Sequence, residues 1–232
     1  SLVFFVLGVF FIYKNKFEIK DIQIRILFAV IGLFYIANLA EKVCVDDQMS
    51  IRKFYNAVPL GNLSPFIFTC TFLCTFMPKK IIEQFNKIIV ILSIMMFVAG
   101  TKNIVERIIQ FPSDSYICIL YDSFAHALIS LYGFYLLRNQ KVQLNKNSFW
   151  TTFIFSFGIA IISLIINVFC DTEFFGLNLN GKHNIYGLVI SDNSYVSALV
   201  YFLGLGLLIV VSYYLLKLIY KKLLLPKEEK KA

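Results

Sequence analysis

Long runs of apolar residues alternate with short clusters of charged residues, and this pattern restricts the fold more than any other feature of the chain. The sequence contains seven apolar segments, near residues 1–13, 22–40, 57–77, 86–101, 115–137, 149–170 and 195–220. A helix needs about 20 apolar residues to cross a bilayer, and most of the segments are that long. Only 16% of the residues are charged, against about 25% in soluble domains. We therefore predict an all-α fold, a polytopic membrane helix bundle with seven transmembrane helices, as a single domain over residues 1–232.

Basic residues in the loops predict the orientation of this bundle. Fifteen of the 22 Lys and Arg residues follow segments one, three, five and seven, and six lie in the alternate loops. Because Lys and Arg are enriched in cytoplasmic loops, the N-terminus is predicted outside and the C-terminus in the cytoplasm. The protein would then be a multi-pass protein of the cell membrane. Residues 171–194 would be an extracytoplasmic loop, in which Asn180-Gly181 is typical of a hairpin turn; an irregular loop is the equal alternative.

The formal net charge of +8 indicates basic cytoplasmic loops better than it indicates a nucleic-acid partner. Nucleic-acid binding would need a basic stripe with interleaved aromatic residues outside the apolar runs, and the sequence has none. We therefore predict membrane lipids as partners and no nucleic acid. The chain begins at Ser1 inside an apolar run, which predicts that the natural N-terminus lies further upstream.

Asp122 and His126 interrupt the fifth apolar segment, in the stretch ILYDSFAHALISLYGF (residues 119–134). A spacing of four residues puts both side chains on one helix face, about 6 Å apart along the axis. An Asp near the centre of a membrane helix costs roughly 2.5–3.5 kcal/mol to insert, so such residues usually face inward and are paired. If the carboxylate accepts from one imidazole nitrogen, the other nitrogen is left as a base. We predict both as catalytic residues; the alternative is a buried pair that only fixes helix packing.

Five further polar residues fall in the same half of the membrane as Asp122 if the seven spans alternate in direction. They are Asn38 and Glu41 at the end of segment two, Asn62 and Ser64 early in segment three, and Asn167 at the end of segment six. We predict that they line one outward-facing polar cavity and bind the substrate. The alternative is that each residue is satisfied separately near the membrane interface.

Cysteine supplies a candidate nucleophile. Cys70 and Cys74 lie one helical turn apart in segment three, which is weak evidence for a metal because cysteine packs well as a small hydrophobe. Cys70 lies at about the depth of His126, so we include it as a catalytic candidate paired with that histidine. Cys44 and Cys170 both end spans on the outer face. The sequence leaves undecided whether they form a disulfide there.

The common cofactor and hydrolase motifs are missing from the sequence. It contains no phosphate-binding glycine loop, no His-Glu-x-x-His and no Gly-x-Ser-x-Gly. Our prediction therefore includes no cofactor and no metal.

Three stretches carry a family resemblance through their order and spacing. VPLGNLSPF opens segment three, SFAHALISLYGFYLL lies in segment five, and IINVFCDTEFFGL leaves segment six for the long loop. With these stretches, most of the chain resembles the YwaF-like bacterial integral membrane proteins, which look related to eukaryotic transmembrane acyltransferases acting on ether phospholipids. The resemblance implies an acyltransferase-like activity on lipids. It matches the family's segment-five histidine to His126 and a polar position late in segment six to Asn167.

The chain departs from the family at the start of segment three. The family motif Pro-Leu-His-x-Cys reads here Pro59-Leu60-Gly61-Asn62-Leu63, so the motif histidine and cysteine are both absent. If that cysteine carries the acyl group in the family, Cys70 or Ser64 would have to replace it in this chain.

Three hypotheses for the function follow from these observations. The first is a lipid-modifying or lipid-binding membrane protein that uses a polar intramembrane cavity around His126 and Asp122. The second is transport of a small polar solute through the same cavity. The third is a structural or sensory membrane protein without catalytic activity.

Overall fold

The computed structural model of the protein describes residues 2–15, 17–44, 58–60, 62–110, 116–170, 172, 174, 177, 184–185, 188–189 and 194–224. These residues form seven α-helices and one two-stranded hairpin. The helices are α1 (Leu2–Lys14), α2 (Asp21–Cys44), α3 (Leu63–Cys74), α4 (Lys79–Gln110), α5 (Tyr116–Arg138), α6 (Lys146–Cys170) and α7 (Ser194–Ile219), which a π-helical turn, Tyr220–Leu224, continues. The predicted all-helical fold class is therefore confirmed.

Each of the seven apolar segments overlaps one helix. Within the described part of the chain, four helices are long and apolar enough to cross a membrane, and they contain the stretches Asp21–Glu41, Lys79–Lys102, Lys146–Cys170 and Tyr195–Lys222. The fourth segment, the shortest complete one by sequence, belongs to the longest helix, with 32 residues. Charged ends such as Lys79-Lys80 lengthen this helix without lengthening its apolar run.

Segment three forms a much shorter helix than its predicted span, residues 57–77. Helix α3 has 12 residues, about 18 Å at 1.5 Å per residue, whereas a hydrocarbon core is about 30 Å thick. It begins at Leu63, directly after Asn62, whose side chain accepts a hydrogen bond from the Leu63 amide and so acts as the N-cap. Pro65 therefore lies in the first turn, where its missing N–H costs no helical hydrogen bond.

Helices α4 and α5 form the centre of the bundle. In the most apolar 18-residue stretch of each helix, 56% of the residues of α4 are buried, against 28% in α2 and in α6. Gly133 of α5 permits the close approach, because a Cβ there would lie 2.5 Å from the Cβ of Ser93 on α4. Small residues at helix crossings allow such close contact.

Helix α6 has its polar side inward and its large apolar side outward. Its buried residues are mostly small or polar: Ser148, Thr152, Ser156, Ile159, Ala160, Ser163 and Asn167. Ile154, Ile161 and Phe169, by contrast, are exposed. A helix in water would place these sides the other way round, so this arrangement is typical of a helix that contacts lipid.

Several connections between helices meet at one end of the bundle. The contacts are Ile19 N to Tyr135 Oη (2.9 Å), Lys141 Nζ to Glu18 Oε1 (3.3 Å), Arg25 Nη1 to the Thr75 carbonyl (2.7 Å) and Tyr213 Oη to the Leu144 carbonyl (3.3 Å). They bring together the segments that follow α1, α3 and α5 and the C-terminal part of α7. These are the segments in which the basic residues are concentrated.

The long connection between α6 and α7 contains a hairpin. Strand β1 (Asn184–Ile185) pairs antiparallel with β2 (Leu188–Val189), with Ile185 opposite Leu188. The predicted turn at Asn180-Gly181 lies outside the described residues and stays a prediction.

Candidate functional site

The imidazole of His126 is held by the backbone of its own helix. Its Nδ1 lies 2.8 Å from the carbonyl oxygen of Asp122 and 3.5 Å from that residue's carboxylate Oδ1. A carbonyl oxygen only accepts hydrogen bonds, so Nδ1 carries the proton in the neutral ring. The carbonyl is therefore what selects the tautomer. The predicted carboxylate partner is present, but at a distance better suited to stabilising a charged imidazolium than to a hydrogen bond.

The second ring nitrogen of His126, Nε2, is buried and accepts no hydrogen bond from the described residues. The residue is 2% exposed, and among the described residues Nε2 has no hydrogen-bond partner. Since Nδ1 carries the proton, Nε2 presents a lone pair. Leaving a buried acceptor unpaired costs about 1–3 kcal/mol, so such a group is a functional candidate.

Two other helices close around the ring. Phe68 of α3 meets it edge to face, with 4.8 Å between the ring centroids. Gly100 of α4 packs against its base, because a Cβ on Gly100 would lie 2.6 Å from the His126 Cβ and 3.1 Å from its Cγ. Any larger residue at Gly100 would have to displace the histidine or the helix.

Cys70 lies on a different face of α3 from the residue that contacts His126. At 3.6 residues per turn, Cys70 is about 200° around the helix from Phe68. Nε2 has no hydrogen bond to it or to any other described residue. The predicted Cys70–His126 pair is thus not formed: Cys70 is a half-buried free cysteine, and Phe68 faces the histidine instead.

Ser64 lies on the same face of α3 as Phe68, one turn nearer the N-terminus of the helix. It is half-buried, and its Oγ lies 3.5 Å from the sulfur of Met96 on α4. A thioether is a weak acceptor, so this hydroxyl is only lightly held. Asn62, which was predicted beside it in the cavity, is exposed and serves as the N-cap of α3.

Asn167 folds the chain after α6. Its Nδ2 donates to the carbonyls of Phe174 and Leu177, both at 2.8 Å, and its Oδ1 accepts from Thr172 Oγ1 at 2.7 Å and from the Phe174 amide at 2.8 Å. These four bonds use both donors and both acceptor positions of the amide. The structure therefore gives Asn167 a structural role after α6, and the predicted substrate contact stays a prediction.

Asn38 and Glu41 lie at the same end of the bundle as Asp122 but further along it. Phe34 of α2 stacks with Tyr121 of α5, with centroids 5.8 Å apart, which aligns these two antiparallel helices. Asn38 and Glu41 follow Phe34 by one and two turns, so they lie beyond the level of Asp122. Asn38 is buried, and Glu41 Oε2 has no hydrogen-bond partner within the described ranges.

The geometry thus joins some of the predicted site residues and separates others. Asp122 and His126 lie where α3, α4 and α5 meet, with Phe68 and Gly100 against the imidazole. Ser64 lies on the Phe68 face of α3 and contacts Met96 of α4, whereas Asn62 caps α3 and Cys70 lies on another face of it. A cavity open to the outside stays a prediction.

Phe68, Met96 and Gly100 were not recognised from the sequence. An aromatic residue, a methionine and a glycine in apolar segments are typical of ordinary packing. Only the glycine carried a signal, because small residues in membrane helices indicate close helix contact.

The cysteines and acidic residues do not assemble into a metal site in the described part of the chain. No group of three or more His, Cys, Asp or Glu side chains lies together there. Cys170 is exposed and free, so the disulfide with Cys44 is not formed. The side chain of Cys44 lies outside the described residues.

Comparison with known proteins provides no relative from which a function could be inferred. No family model, no curated protein and no solved structure matches the chain.

Proposed function

We propose that the protein is a multi-pass membrane protein of the cell membrane that binds membrane lipids and modifies them by acyl transfer at His126. The observation that carries the proposal is the buried, uncommitted Nε2 of this histidine, beside a proton-bearing Nδ1 and a carboxylate at 3.5 Å. This arrangement suits a general base, because Nε2 can accept a proton and the carboxylate then stabilises the charged ring.

The surroundings of the histidine favour an amphiphilic substrate. Phe68 packs edge to face with the imidazole, and the buried Met96 lies 3.5 Å from the Ser64 hydroxyl. A ligand that reaches Nε2 must pack an apolar body against these side chains and present one polar group to the nitrogen. Membrane lipids have this combination.

The inverted polarity of α6 and the four long apolar helices support membrane insertion. We propose seven spans with the N-terminus outside and the C-terminus in the cytoplasm. Helices α1 and α3, at 13 and 12 residues, would cross only part of the hydrocarbon core within the bounds described. The clustering of the basic connections at one end of the bundle supports a single cytoplasmic face.

Reporter fusions test this topology. A reporter fused after Ala232 should be active in the cytoplasm, and one inserted near Gly181, outside the described residues, should be active outside. The reason is the distribution of Lys and Arg between the two sets of loops. Finding both reporters on the same side would mean that the number of spans is even between the two points or that one segment does not cross.

Lipid analysis tests the activity. Membranes from cells that express the wild-type protein should differ in acyl composition from membranes of cells that express His126→Ala, which removes the base. His183→Ala is the matched control, because His183 is the only other histidine of the sequence and follows α6 in the chain, outside the described residues. Mass spectrometry of total lipids provides the measurement. Equal lipid profiles for wild type and His126→Ala, at equal protein levels, would reject lipid modification.

The buried side of α6 favours transport of a small polar solute as a second candidate. Ser148, Thr152 and Ser156 continue through Ser163 towards Asn167, so buried polar groups extend along the whole helix. The hydroxyls of Ser156 and Ser163 have no hydrogen-bond partner among the described residues. Proteoliposomes that take up glycerol through the wild-type protein, but not through Ser156→Leu or Ser163→Leu, would favour this candidate.

A further inference from the structure

A group of basic residues lies at the end of the bundle where α5 and α7 finish. We propose that Arg138, Lys217 and Lys221 bind the phosphate of an anionic lipid head group. Arg138 follows His126 by 12 residues on α5, about 18 Å along the helix axis. The site is therefore separate from the proposed acyl-transfer centre. The inference requires a membrane around the bundle but does not depend on that chemistry.

Contacts between helices bring together the segments that carry these residues. The Tyr213 hydroxyl of α7 donates to the carbonyl of Leu144 at 3.3 Å, and Leu144 lies in the connection that begins after Arg138. The Lys217 ammonium lies over the Tyr213 ring, 5.4 Å from its centroid. Helix α7 itself packs on α4 and α6, whereas its π-helical continuation, which contains Lys221, reaches α5. Since α5 and α7 both end on this side, the π-helical turn meets α5 near its last residue, Arg138.

Arg138 has a donor that the described residues leave unused. The side chain is half-buried, and its Nε is buried without a hydrogen-bond partner among the described residues. A guanidinium keeps its charge in proteins, so this N–H cannot be lost to relieve the cost. Nε and a terminal nitrogen form an edge that binds a phosphate through two parallel hydrogen bonds. The unused donor therefore indicates an acceptor beyond the described residues, and a phosphate fits it.

The charges around this donor also favour an anion. Glu18, an acidic residue at this end, is already paired with Lys141 at 3.3 Å. Lys217 and Lys221 are exposed, and among the described residues neither they nor Arg138 form an ion pair with a carboxylate. Each Lys or Arg near a membrane surface adds to the attraction for anionic lipids.

The surface next to these cations favours a lipid over a soluble phosphate. Tyr214 and Leu218 are exposed, and they precede Lys221 by seven and three residues, which places them close to its face of the helix. A lipid chain can pack against these two side chains while its phosphate reaches the basic groups one turn further on. A soluble anion would gain nothing from the apolar part of this surface.

Aromatic residues mark the same level as the edge of the membrane. Phe149 of α6 lies between Trp150 and Tyr213, with its ring centroid 5.4 Å and 5.2 Å from theirs. Trp150 and Tyr214 are exposed at this level. Exposed Trp and Tyr are typical of the membrane–water interface, which places the basic groups beyond them at the level of the lipid head groups.

Native mass spectrometry of the full-length protein in detergent tests the site with two lipids of equal chain length. Dioleoyl phosphatidylglycerol is the anionic probe, and dioleoyl phosphatidylcholine is the lipid without net charge. We expect wild type to bind phosphatidylglycerol more tightly, and Arg138→Gln/Lys221→Gln to bind it about 30-fold more weakly, the contribution of two cations near the head groups. Lys79→Gln/Lys80→Gln is the matched control. It removes two exposed cations from the same end of the bundle and should bind like wild type.

Two further measurements separate a specific site from general attraction. Arg138→Lys keeps the charge and the apolar stem but loses the paired donors, so its affinity should fall by roughly 10-fold even where the double variant fails to fold. Inorganic phosphate at the concentration of the lipid should not displace phosphatidylglycerol, because it has no chain to pack beside Tyr214 and Leu218.

The outcomes are distinct from those for the proposed function. Equal binding of the two lipids by wild type, an equal loss in Lys79→Gln/Lys80→Gln, or displacement by inorganic phosphate would each overturn the lipid site. Wild-type affinity in Arg138→Lys would overturn recognition by the guanidinium. His126→Ala should bind phosphatidylglycerol like wild type. A protein that binds this lipid at the site but leaves cellular lipids unchanged would uphold the site and reject the proposed acyl transfer.

Discussion

Replacing His126 with leucine should make the protein more stable and inactive. The substitution removes a buried ring nitrogen that has no partner among the described residues, and it keeps an apolar side chain of similar volume against Phe68. Relief of an unpaired buried acceptor is worth about 1–3 kcal/mol, which exceeds the about 0.5–1.5 kcal/mol lost with the Nδ1 hydrogen bond to the Asp122 carbonyl. Loss of the base removes the proposed chemistry. Thermal unfolding in detergent and the lipid profile of expressing cells measure the two effects.

Asp122→Asn is the matched variant for this prediction. The amide is nearly isosteric, and the Asp122 carbonyl still accepts from Nδ1, so the fold and the tautomer should both be retained. Activity should fall, because an amide stabilises the imidazolium less than a carboxylate at 3.5 Å does. The loss should be smaller than for His126→Leu.

A purely structural pair predicts a different pattern. Removing either partner alone would then destabilise the protein, because the other partner would lose the charge interaction at 3.5 Å. A double variant with apolar residues at 122 and 126 that is stable and fully active would reject the catalytic role. An Asp122→Asn variant as inactive as His126→Leu would show that the carboxylate, and not the carbonyl, controls the ring.

Gly133→Ala should destabilise the bundle although alanine is the better helix former. A Cβ at Gly133 would lie 2.5 Å from the Cβ of Ser93 and 3.2 Å from the carbonyl oxygen of Ile89. Both atoms belong to or adjoin the backbone of α4, so no side-chain rotation relieves the contact and the central helices must separate. Overpacking of this kind costs about 1–3 kcal/mol.

Gly158→Ala in α6 is the control for the same chemical change. A Cβ there would meet no atom within 4 Å, so only the gain in helix propensity, up to about 1 kcal/mol, should remain. The unfolding temperature in detergent should therefore fall for Gly133→Ala and stay equal or rise for Gly158→Ala. Equal shifts for the two variants would contradict the close approach of α4 and α5.

The positions of the helices could be predicted from the sequence because they depend on local properties. Apolar runs between charged clusters form helices, since a backbone in an apolar surrounding must satisfy its own hydrogen bonds. The same locality explains why Asp122 and His126 could be placed on one face, as a spacing of four residues does not depend on any other helix. It also explains the error in segment three. That segment was delimited by hydropathy, whereas its helix begins at the side-chain cap of Asn62.

Which side chains contact each other across two helices could be determined only from the tertiary structure. Cys70 and His126 were predicted at the same depth, and depth follows from the position of a residue along its helix. Whether their side chains face each other depends on how each helix is rotated about its own axis. That rotation follows from packing, in which Gly100 admits the base of the histidine and Phe68 covers its ring.

Asn167 shows the same limit for a polar residue. In the sequence it is an amide at the end of an apolar run. That position does not distinguish a residue that binds a substrate from one that forms hydrogen bonds within the protein. Its four hydrogen bonds depend on how the chain turns back after α6. The alternation of apolar and charged residues thus determined an all-helical chain with an Asp–His pair on one face. Which groups reach that pair depended on side-chain packing between helices, which has no local signature in the sequence.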